Sequence, residues 1–394
     1  ALSNLAGIAT SSNGATVLVA VGAVGNERAA VYVFHATSPS AWRSTVTPTA
    51  RLTNAAEPAG FGSGVALSSD GRTALIGELA GADVFRVASA AAWRNSSRPT
   101  ATLVADPEGA EAGGLSIAVA LSADGRTALI GAMNLSTLVG AAYIFRAAAA
   151  DAWTSSATPD AVLTDGPAGL FGDGFGGAVA LAPDGMTALV GAANLTYGPV
   201  GAAYLFHAAA TGAWVSTATP DALVGGDRGG QSGDVPGWSV ALSNDGTGLV
   251  GDPSVLREPG SADVLHVAPS GDVSHAKLTN AASPPRDLFG VSVGLSADGT
   301  TALVSSIRST VIFVRSGLRS TAQCYVPYVH GEALRAARRG IRSTHCRVGE
   351  VTRTTASRAP GEHVISQTPR PGRWLAKGAR VSLRRRCWSC RGPR

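Results

Sequence analysis

The 394-residue chain contains no uninterrupted apolar run of about 18 residues, so its sequence encodes no transmembrane helix. Charged residues are also scarce, at 15% against 45% hydrophobic residues, and this balance argues against intrinsic disorder. Recognisable catalytic motifs are missing too, because no G-x-S-x-G, H-E-x-x-H or P-loop pattern occurs. These absences favour a globular protein that binds or assembles and is not an enzyme.

Cysteine is rare, and all four copies lie in a C-terminal region with its own charge. Residues 317–394 hold 17 Lys and Arg and 3 Glu, which gives a net charge of +14. Residues 1–316 hold 15 basic and 24 acidic residues, which gives −9, and the two values sum to the +5 of the whole chain. A division of this size predicts two regions with different partners.

One sequence motif, which we call the phrase, recurs along the acidic region of residues 1–316. Its turn glycine, the Gly of an Asp-Gly or Asn-Gly pair between two short apolar runs, returns every 53 to 61 residues. Such a pair is a strong signal for a β-hairpin, and this period is typical of a propeller or another repeat array. The turn glycines are Gly14, Gly71, Gly125, Gly185, Gly246 and Gly299.

The run that follows each hairpin indicates how the sheets pack. In residues 141–145 both alternating sets of side chains are apolar, so a strand there has two buried faces. A fourth run begins near Trp42, Trp93, Trp153 or Trp214. The sequence therefore predicts a mainly β fold over residues 1–316, a β-propeller of about six four-stranded antiparallel blades whose sixth unit has no obvious fourth strand.

Two short motifs accompany the phrase in several copies. A Phe stands ten residues before the turn glycine in Phe61-Gly62, Phe175-Gly176 and Phe289-Gly290, and a Gly-Ala or Gly-Asp-Pro follows the second run at Gly131, Gly191 and Gly251. These residues resemble the FG-GAP repeat of integrin-α-type β-propellers, although Asn4-Leu5, Leu115-Ser116 and Pro236-Gly237 replace Phe-Gly elsewhere. The resemblance implies a recognition platform for a protein or glycan in a secreted, actinobacterial-like protein.

Some members of that family carry a calcium loop with alternating oxygen ligands. The corresponding stretches here begin at Asn54, Ala105, Asp165 and Gly225, and none has three acids at alternating spacing. Support for Ca²⁺ is therefore weak, since the turn chemistry of Asp and Gly explains these loops equally well. We expect no metal and no other cofactor.

The sequence pattern changes at Cys324, where a short, largely apolar run is followed by a helical pattern. Leu334, Ala337 and Ile341 form one apolar stripe, and four arginines lie on a neighbouring face. We call these four the arginine face: Arg335, Arg338, Arg339 and Arg342. Three short strands are predicted after the helix, at residues 347–353, 362–367 and 379–383.

The later motif VISQ-x-P-x-PG, from Val364 to Gly372, resembles the PASTA domain, as do Val326-Pro327, Leu375, Gly378 and Val381. The resemblance covers residues 324–386 and implies a small α+β fold of βαββ type outside the membrane of Gram-positive bacteria. It also implies binding to peptidoglycan fragments. Guanidinium forks can hold carboxylate or phosphate, so the arginine face is the predicted contact with peptidoglycan or another anionic wall polymer.

Two other interpretations of the arginine face are a solvated helix surface and a nucleic-acid contact. We expect no nucleic acid, since aromatic residues are not interleaved with the arginines. Cys324 and Cys346 bracket the first strand and the helix, and we expect a disulfide between them. Cys387 and Cys390 are half a zinc site at best, in a tail (387–394) expected to be disordered.

These expectations combine into one functional hypothesis: a non-enzymatic exported or cell-surface binding protein. Its propeller (1–316) would recognise an unknown protein or glycan, and a linker (317–323) would lead to the PASTA domain (324–386), which touches the cell wall. Two alternatives stay open, a propeller-based extracellular hydrolase or lyase with a wall-targeting module, and a purely structural module.

Overall fold

The computed structural model describes most of the chain. The described residues are 5–23, 28–56, 60–105, 115–134, 140–166, 174–193, 201–210, 212–225, 235–254, 259–267, 273–314, 324–326, 329–330, 333–343, 346–355, 363–369, 374–375 and 379–387. The predicted linker, and most residues of the loops considered for calcium, lie outside this set.

Six antiparallel sheets, one for each copy of the phrase, follow one another along the chain. Sheet 1 contains β1 (Leu5–Thr10), β2 (Thr16–Val21), β3 (Ala30–His35) and β4 (Ala50–Leu52). Sheet 2 contains β5 (Val65–Leu67), β6 (Thr73–Glu78), β7 (Gly81–Arg86) and β8 (Ala101–Val104). Sheet 3 contains β9 (Leu115–Leu121), β10 (Thr127–Asn134), β11 (Gly140–Arg146) and β12 (Ala161–Leu163).

Sheet 4 contains β13 (Phe175–Leu181), β14 (Thr187–Ala192), β15 (Ala202–His207) and β16 (Ala222–Gly225). Sheet 5 contains β17 (Ser239–Leu242), β18 (Thr247–Asp252), β19 (Ser261–Val267) and β20 (Val273–Leu278). Sheet 6 contains β21 (Ser292–Leu295), β22 (Thr301–Ser305) and β23 (Thr310–Val314). In each sheet the strands pair in sequence order, so every unit is a meander and the sixth has three strands in the described residues.

Consecutive sheets stack face to face around apolar cores. Residues of sheets 1 and 2 share one core cluster, and the same holds for each following pair up to sheets 5 and 6. In β11 both alternating sets are buried, with Ala142 and Ile144 facing one core and Phe145 the other. The mainly β propeller architecture predicted from the sequence is therefore confirmed, with each sheet as one blade.

A hydrogen-bonded box explains the repeated phrase. In sheet 2, Ser68 Oγ donates to Asp70 Oδ1 at 2.6 Å and accepts from the Thr73 amide at 3.0 Å, while Gly71 takes a φ of +69°. The indole of Trp93 then donates to the Gly71 carbonyl at 2.9 Å, and Trp42, Trp153 and Trp214 do the same in their sheets. The tryptophans that mark the fourth run thus hold the hairpin turn of their own blade.

Main-chain hydrogen bonds also link neighbouring blades at these turns. The amide of Ser12 donates to Ser69 O, that of Ser69 to Ala123 O, and that of Ala123 to Pro183 O. Pro183 has no N–H, so the series stops there and resumes only with the Asn244 amide donating to Ala297 O. Isolated parallel bridges join the outer strand of each of sheets 1 to 3 to the segment that precedes the outer strand of the next sheet: Leu52 with Ser96, Leu103 with Ser156 and Leu163 with Thr217.

The Phe-Gly pairs have a packing role. Phe175 is fully buried, and Gly176 takes a φ of +86°, a backbone region that favours glycine. A Cβ on Gly131 of sheet 3 would lie 2.3 Å from Gly176 O, so the backbones of sheets 3 and 4 meet at this point. The Gly-Ala and Phe-Gly motifs are therefore the two sides of one contact between blades.

The described residues of the C-terminal module form one helix, α1 (Leu334–Ser343), and two small sheets. The first sheet pairs β24 (Cys324–Tyr325) with β27 (Trp374–Leu375), and the second has the order β25 (Arg347–Thr355), β28 (Arg380–Cys387), β26 (His363–Thr368). Strand β28 continues past the predicted end at Leu383 because its pairing with β25 extends to Thr355 and Cys387. No helix in the described part of the chain is long and apolar enough to cross a membrane.

Candidate functional site

The core of the C-terminal module sets the direction of helix α1. Ala337 and Ile341 are fully buried against a core of valines and leucine, and Leu334 packs at its border. Gln367 on β26 accepts the Val329 amide at 2.8 Å and ties the first segment to the sheet. With the apolar stripe directed inward, all four residues of the arginine face are exposed.

The arginine face concentrates positive charge on two turns of helix. Arg335 and Arg339 are spaced i, i+4, as are Arg338 and Arg342, so like charges lie side by side. None of the four forms an ion pair with a described residue, and the acid described in this module is the exposed Glu350. A bound anion would relieve this repulsion and accept bidentate hydrogen bonds from the guanidinium groups.

The cysteines of the module are described in part. Cys346 is 5% exposed and lies in the core, and no described cysteine is a free thiol. The side chains of Cys324 and Cys387, and the whole of Cys390, lie outside the described residues. The pairing of Cys324 with Cys346 therefore stays a prediction, as does the character of the tail.

A second polar site lies between sheets 1 and 2, and the sequence reasoning missed it. Asp83 is fully buried, and its carboxylate accepts from Asn54 Nδ2 at 2.6 Å and from Thr102 Oγ1 at 2.8 Å. Glu78 is 5% exposed, and its Oε2 has no hydrogen-bond partner among the described residues. The register puts Asp83 opposite Ile76, two residues from Glu78, so both carboxylates are on the same face of sheet 2.

Burial dominates the electrostatics of this carboxylate pair, Glu78 and Asp83. Burial raises the pKa of Glu78 to about 7, and the neighbouring Asp83 charge raises it as well. Burial also raises the pKa of Asp83, while its hydrogen bonds from Thr102 and Asn54 act in the opposite direction. A signal was available in the sequence, since Asp83 interrupts an apolar strand at the position that Tyr32, Tyr143 and Tyr204 occupy in other blades.

The equivalent positions of sheet 5 also hold two carboxylates, Asp252 and Asp263. There, Lys277 Nζ lies 3.8 Å from Asp252 Oδ2, and the Val235 amide donates to Asp252 Oδ1 at 2.8 Å. In sheet 2 the place of Lys277, opposite the third-strand aspartate, is taken by the neutral Thr102. The carboxylate pair of sheet 2 therefore lacks the ammonium group that accompanies its counterpart.

A cavity of about 520 Å³ adjoins the carboxylate pair through Asn54. Its walls include Arg28, Arg51 and Phe61, together with small polar residues. A cavity with this lining can hold a small polar molecule, with the arginines toward a negative group and the ring toward a flat apolar face. This cavity is a candidate ligand site on the propeller.

Two of the histidines form contacts with threonine hydroxyls of their own sheets. His35 Nδ1 and His207 Nδ1 lie 2.9 and 3.0 Å from the hydroxyls of Thr16 and Thr187, at the ends of equivalent strands. Among the described residues, no group of three His, Cys, Asp or Glu side chains could hold a metal ion.

Comparison with known families addresses the C-terminal module directly. Residues 325–384 match the family model described as the PASTA domain. The C-terminal module is a PASTA domain. The match covers this domain and not the propeller, and a search of curated protein sequences finds no significant match to the chain.

Several solved structures are similar to this chain beyond its PASTA domain. Hydrazine synthase from Kuenenia stuttgartiensis gives a TM-score of 0.46 at 13% identity, over 80% of this chain and 97% of that one. The β-propeller domain of Cps50 (Swd1) from Myceliophteria thermophila gives 0.45 at 12% identity, over 78% and 82%. The C-terminal WD40 domain of Sif2 gives 0.40 at 11% identity, over 78% and 80%.

Proposed function

We propose that this protein is a non-enzymatic, exported or cell-wall-associated binding protein whose PASTA domain contacts peptidoglycan or another anionic wall polymer. The observation that carries the proposal is the arginine face, four exposed guanidinium groups on one helix without an acidic partner in the described residues. The net charge of +14 over residues 317–394 supports an anionic partner. The acidic propeller, of FG-GAP type in this proposal, would recognise a separate protein or glycan.

Replacing the four residues of the arginine face by Gln in the full chain should weaken binding to purified peptidoglycan sacculi at least about tenfold. Wild-type binding should also fall as salt rises, because exposed charge pairs are screened. The measurement is a sedimentation assay with sacculi, before and after acid extraction of phosphate polymers.

The matched control removes four exposed arginines from the propeller, with the same change in net charge: Arg43, Arg72, Arg94 and Arg98. This control should bind as the wild type does. Equal loss in both variants would show a general charge effect, and unchanged binding in the first variant would remove the arginine face from the proposal.

We also propose that Cys324 and Cys346 form a disulfide in the PASTA domain. The burial of Cys346 and the absence of a free thiol among the described cysteines support it. Closing a loop of this length should stabilise so small a domain by about 3 kcal/mol. Peptide mass mapping before and after reduction tests the pairing. Oxidised protein in which Cys324 and Cys346 are free thiols, or in which either is linked to Cys387 or Cys390, would exclude it.

A hydrolase or lyase activity of the propeller is the second candidate. The observation that favours it is a buried carboxylate, Glu78, whose pKa is raised to about 7 close to a polar cavity. A panel of glycosidase and esterase substrates tests this candidate, and activity that disappears in Glu78→Gln would replace our proposal for the propeller.

A further inference from the structure

The three-stranded sheet of the PASTA domain has one side against the core and one side toward solvent. On β28, Val381 and Leu383 are buried in the same core as Ala337 and Ile341 of helix α1. Successive side chains of a strand point to opposite sides of its sheet, so the neighbours of these two residues point away from the helix. The sheet therefore presents a second surface, on the side opposite helix α1.

The pairing register shows which residues share this second side. Arg380, Ser382 and Arg384 alternate with the buried residues of β28, and their partners on β25 and β26 lie on the same side. We call this set the outer sheet face: Arg347 and Thr352 of β25, Ser366 and Thr368 of β26, and Arg380, Ser382 and Arg384 of β28. Ser382 is half-buried, and the other residues of the set are exposed. The outer sheet face is therefore polar throughout and open to a partner.

Positive charge is concentrated on the outer sheet face. Arg347 and Arg380 are direct partners in the parallel pairing of β25 and β28, so their Cα atoms lie about 4.8 Å apart. Neither forms an ion pair with an acid in the described residues. Arg384 adds a third positive charge about 13 Å further along β28, and the exposed Glu350, in the bulge of β25, offsets one of the three. Like charges paired in this way repel each other, and a bound anion would relieve the repulsion.

The chemistry of the outer sheet face fits a phosphate polymer. Its other residues are Ser and Thr, and guanidinium and hydroxyl groups both donate hydrogen bonds to phosphate oxygens. Ser382 Oγ accepts from the Glu350 amide at 3.2 Å, so its own O–H is left to donate. The outer sheet face contains no Phe, Tyr or Trp, so it offers no ring on which a nucleobase could stack. The complementary partner is therefore a chain of phosphates that carries no bases.

We propose that the outer sheet face is a second anion-binding surface, which takes a phosphodiester-linked polyol chain, so that the PASTA domain holds two wall polymer chains at once. This inference rests on the proposed function, in which the arginine face makes the first contact. Since the buried stripe of helix α1 lies against the sheet, the arginine face and the outer sheet face are exposed on opposite sides of the domain. A domain with two such surfaces cross-links the chains that it binds.

The test removes the arginines of the outer sheet face from the full chain. The sheet variant carries Arg347→Gln, Arg380→Gln and Arg384→Gln, and the probe is synthetic poly(glycerol phosphate), free in solution or attached to beads. The wild-type protein should bind the free chain and clump the beads. The sheet variant should bind at least about tenfold more weakly and should not clump the beads. Its slope of log Kd against log salt should also be smaller by about 2, because three phosphate contacts are lost.

Two matched variants lose the same number of arginines elsewhere. The helix variant loses three residues of the arginine face, and the propeller variant loses three exposed arginines of the propeller: Arg335, Arg339 and Arg342 in the first, and Arg43, Arg72 and Arg94 in the second, all to Gln. The helix variant should also bind more weakly and fail to clump the beads, because one surface cannot join two chains. The propeller variant should bind and clump as the wild type does.

A milder variant covers the case in which the sheet variant does not fold. Arg347→Gln with Arg380→Gln removes the two arginines that pair directly and keeps Arg384. The thermal midpoint of this double variant should equal that of the wild type within a few degrees. Its clumping of the beads should still be lost, and its slope against salt should be smaller by about 1.

Three results would overturn the inference. If the sheet variant binds and clumps as the wild type does while the helix variant loses both properties, the arginine face is the single contact and the proposed function survives. An equal loss in the propeller variant would show a general charge effect and would remove both surfaces. Tenfold tighter binding of single-stranded DNA with the same number of phosphates would make a nucleic acid the partner. A helix variant that keeps full binding would instead remove the arginine face from the proposed function and leave the outer sheet face as the binding surface.

Discussion

Gly290→Ala should destabilise the propeller by roughly 3 kcal/mol, one of the largest losses that a single methyl group can cause in this chain. Gly290 takes a φ of +101°, and an added Cβ would lie 2.1 Å from Ser261 O and 2.9 Å from the Asp252 amide. Both clashes are with backbone of the preceding blade, so neither can be relieved by a side-chain rotation. The change in the free energy of unfolding is measured by urea titration of the full chain.

Gly294→Ala is the matched control for this experiment. Gly294 lies in the same sheet, its φ is not in the left-handed region, and a Cβ there would come no closer than 3.9 Å to Leu303. It should therefore change stability by less than about 1 kcal/mol. Similar losses in the two variants would mean that the Phe-Gly glycine is not the point where blades 5 and 6 meet.

Glu78→Gln should make the protein more stable at pH 8 by about 2 kcal/mol, a figure reduced to allow for solvent that reaches the carboxylate. Burial raises the pKa of Glu78 from 4.5 to about 7, so the folded protein keeps this proton over a range in which the unfolded chain has lost it. Stability from this group is therefore fully present below pH 4.5 and falls as pH rises to about 7. Gln keeps the shape of the side chain and has no charge to lose.

The measurement compares urea unfolding of the two proteins at pH 4.5 and pH 8. The gain in the free energy of unfolding caused by Glu78→Gln should be near zero at pH 4.5 and should reach its full value at pH 8. Asp252→Asn is the contrasting variant, because that carboxylate already has Lys277 at 3.8 Å and should lose stability at pH 8 when neutralised. A Gln advantage that is equal at both pH values would exclude titration of Glu78 as its cause.

The sequence was sufficient for those parts of the fold that local chemistry dictates. The Asp-Gly turns, the strands around them and the inward stripe of helix α1 follow from turn geometry and periodicity, and they lie where those patterns put them. The roles of Trp93 and Gly131 were not predictable in this way. Trp93 donates to the Gly71 carbonyl, and Gly131 lies against the Gly176 carbonyl of the next blade. Both contacts depend on strand register and on packing between segments that are distant in the sequence.

The candidate sites also differ in how far the sequence predicts them. Exposure of the arginine face follows from the helical period alone, because residues opposite a buried stripe must face water. The carboxylate pair was not predicted from the sequence, because Glu78 and Asp83 lie on different strands. Asn54, which donates to Asp83, comes from another blade. The exposure of Leu303 and Ile312 in sheet 6 was also not predictable, since this sheet carries the same apolar pattern as the buried sheets.

The missing N–H of Pro183 interrupts the series of hydrogen bonds between neighbouring turns, an interruption that the sequence period does not show. Sheets 1 to 4 are joined to one another by turn-to-turn hydrogen bonds and by parallel bridges, and sheets 5 and 6 are joined by the Asn244 amide and the Gly260–Phe289 bridge. In the described residues, no main-chain hydrogen bond crosses from sheet 4 to sheet 5. Among the described residues, sheets 4 and 5 therefore meet through side chains such as Leu189 and Val250, and through the close approach of Gly191 to the Gly237 carbonyl.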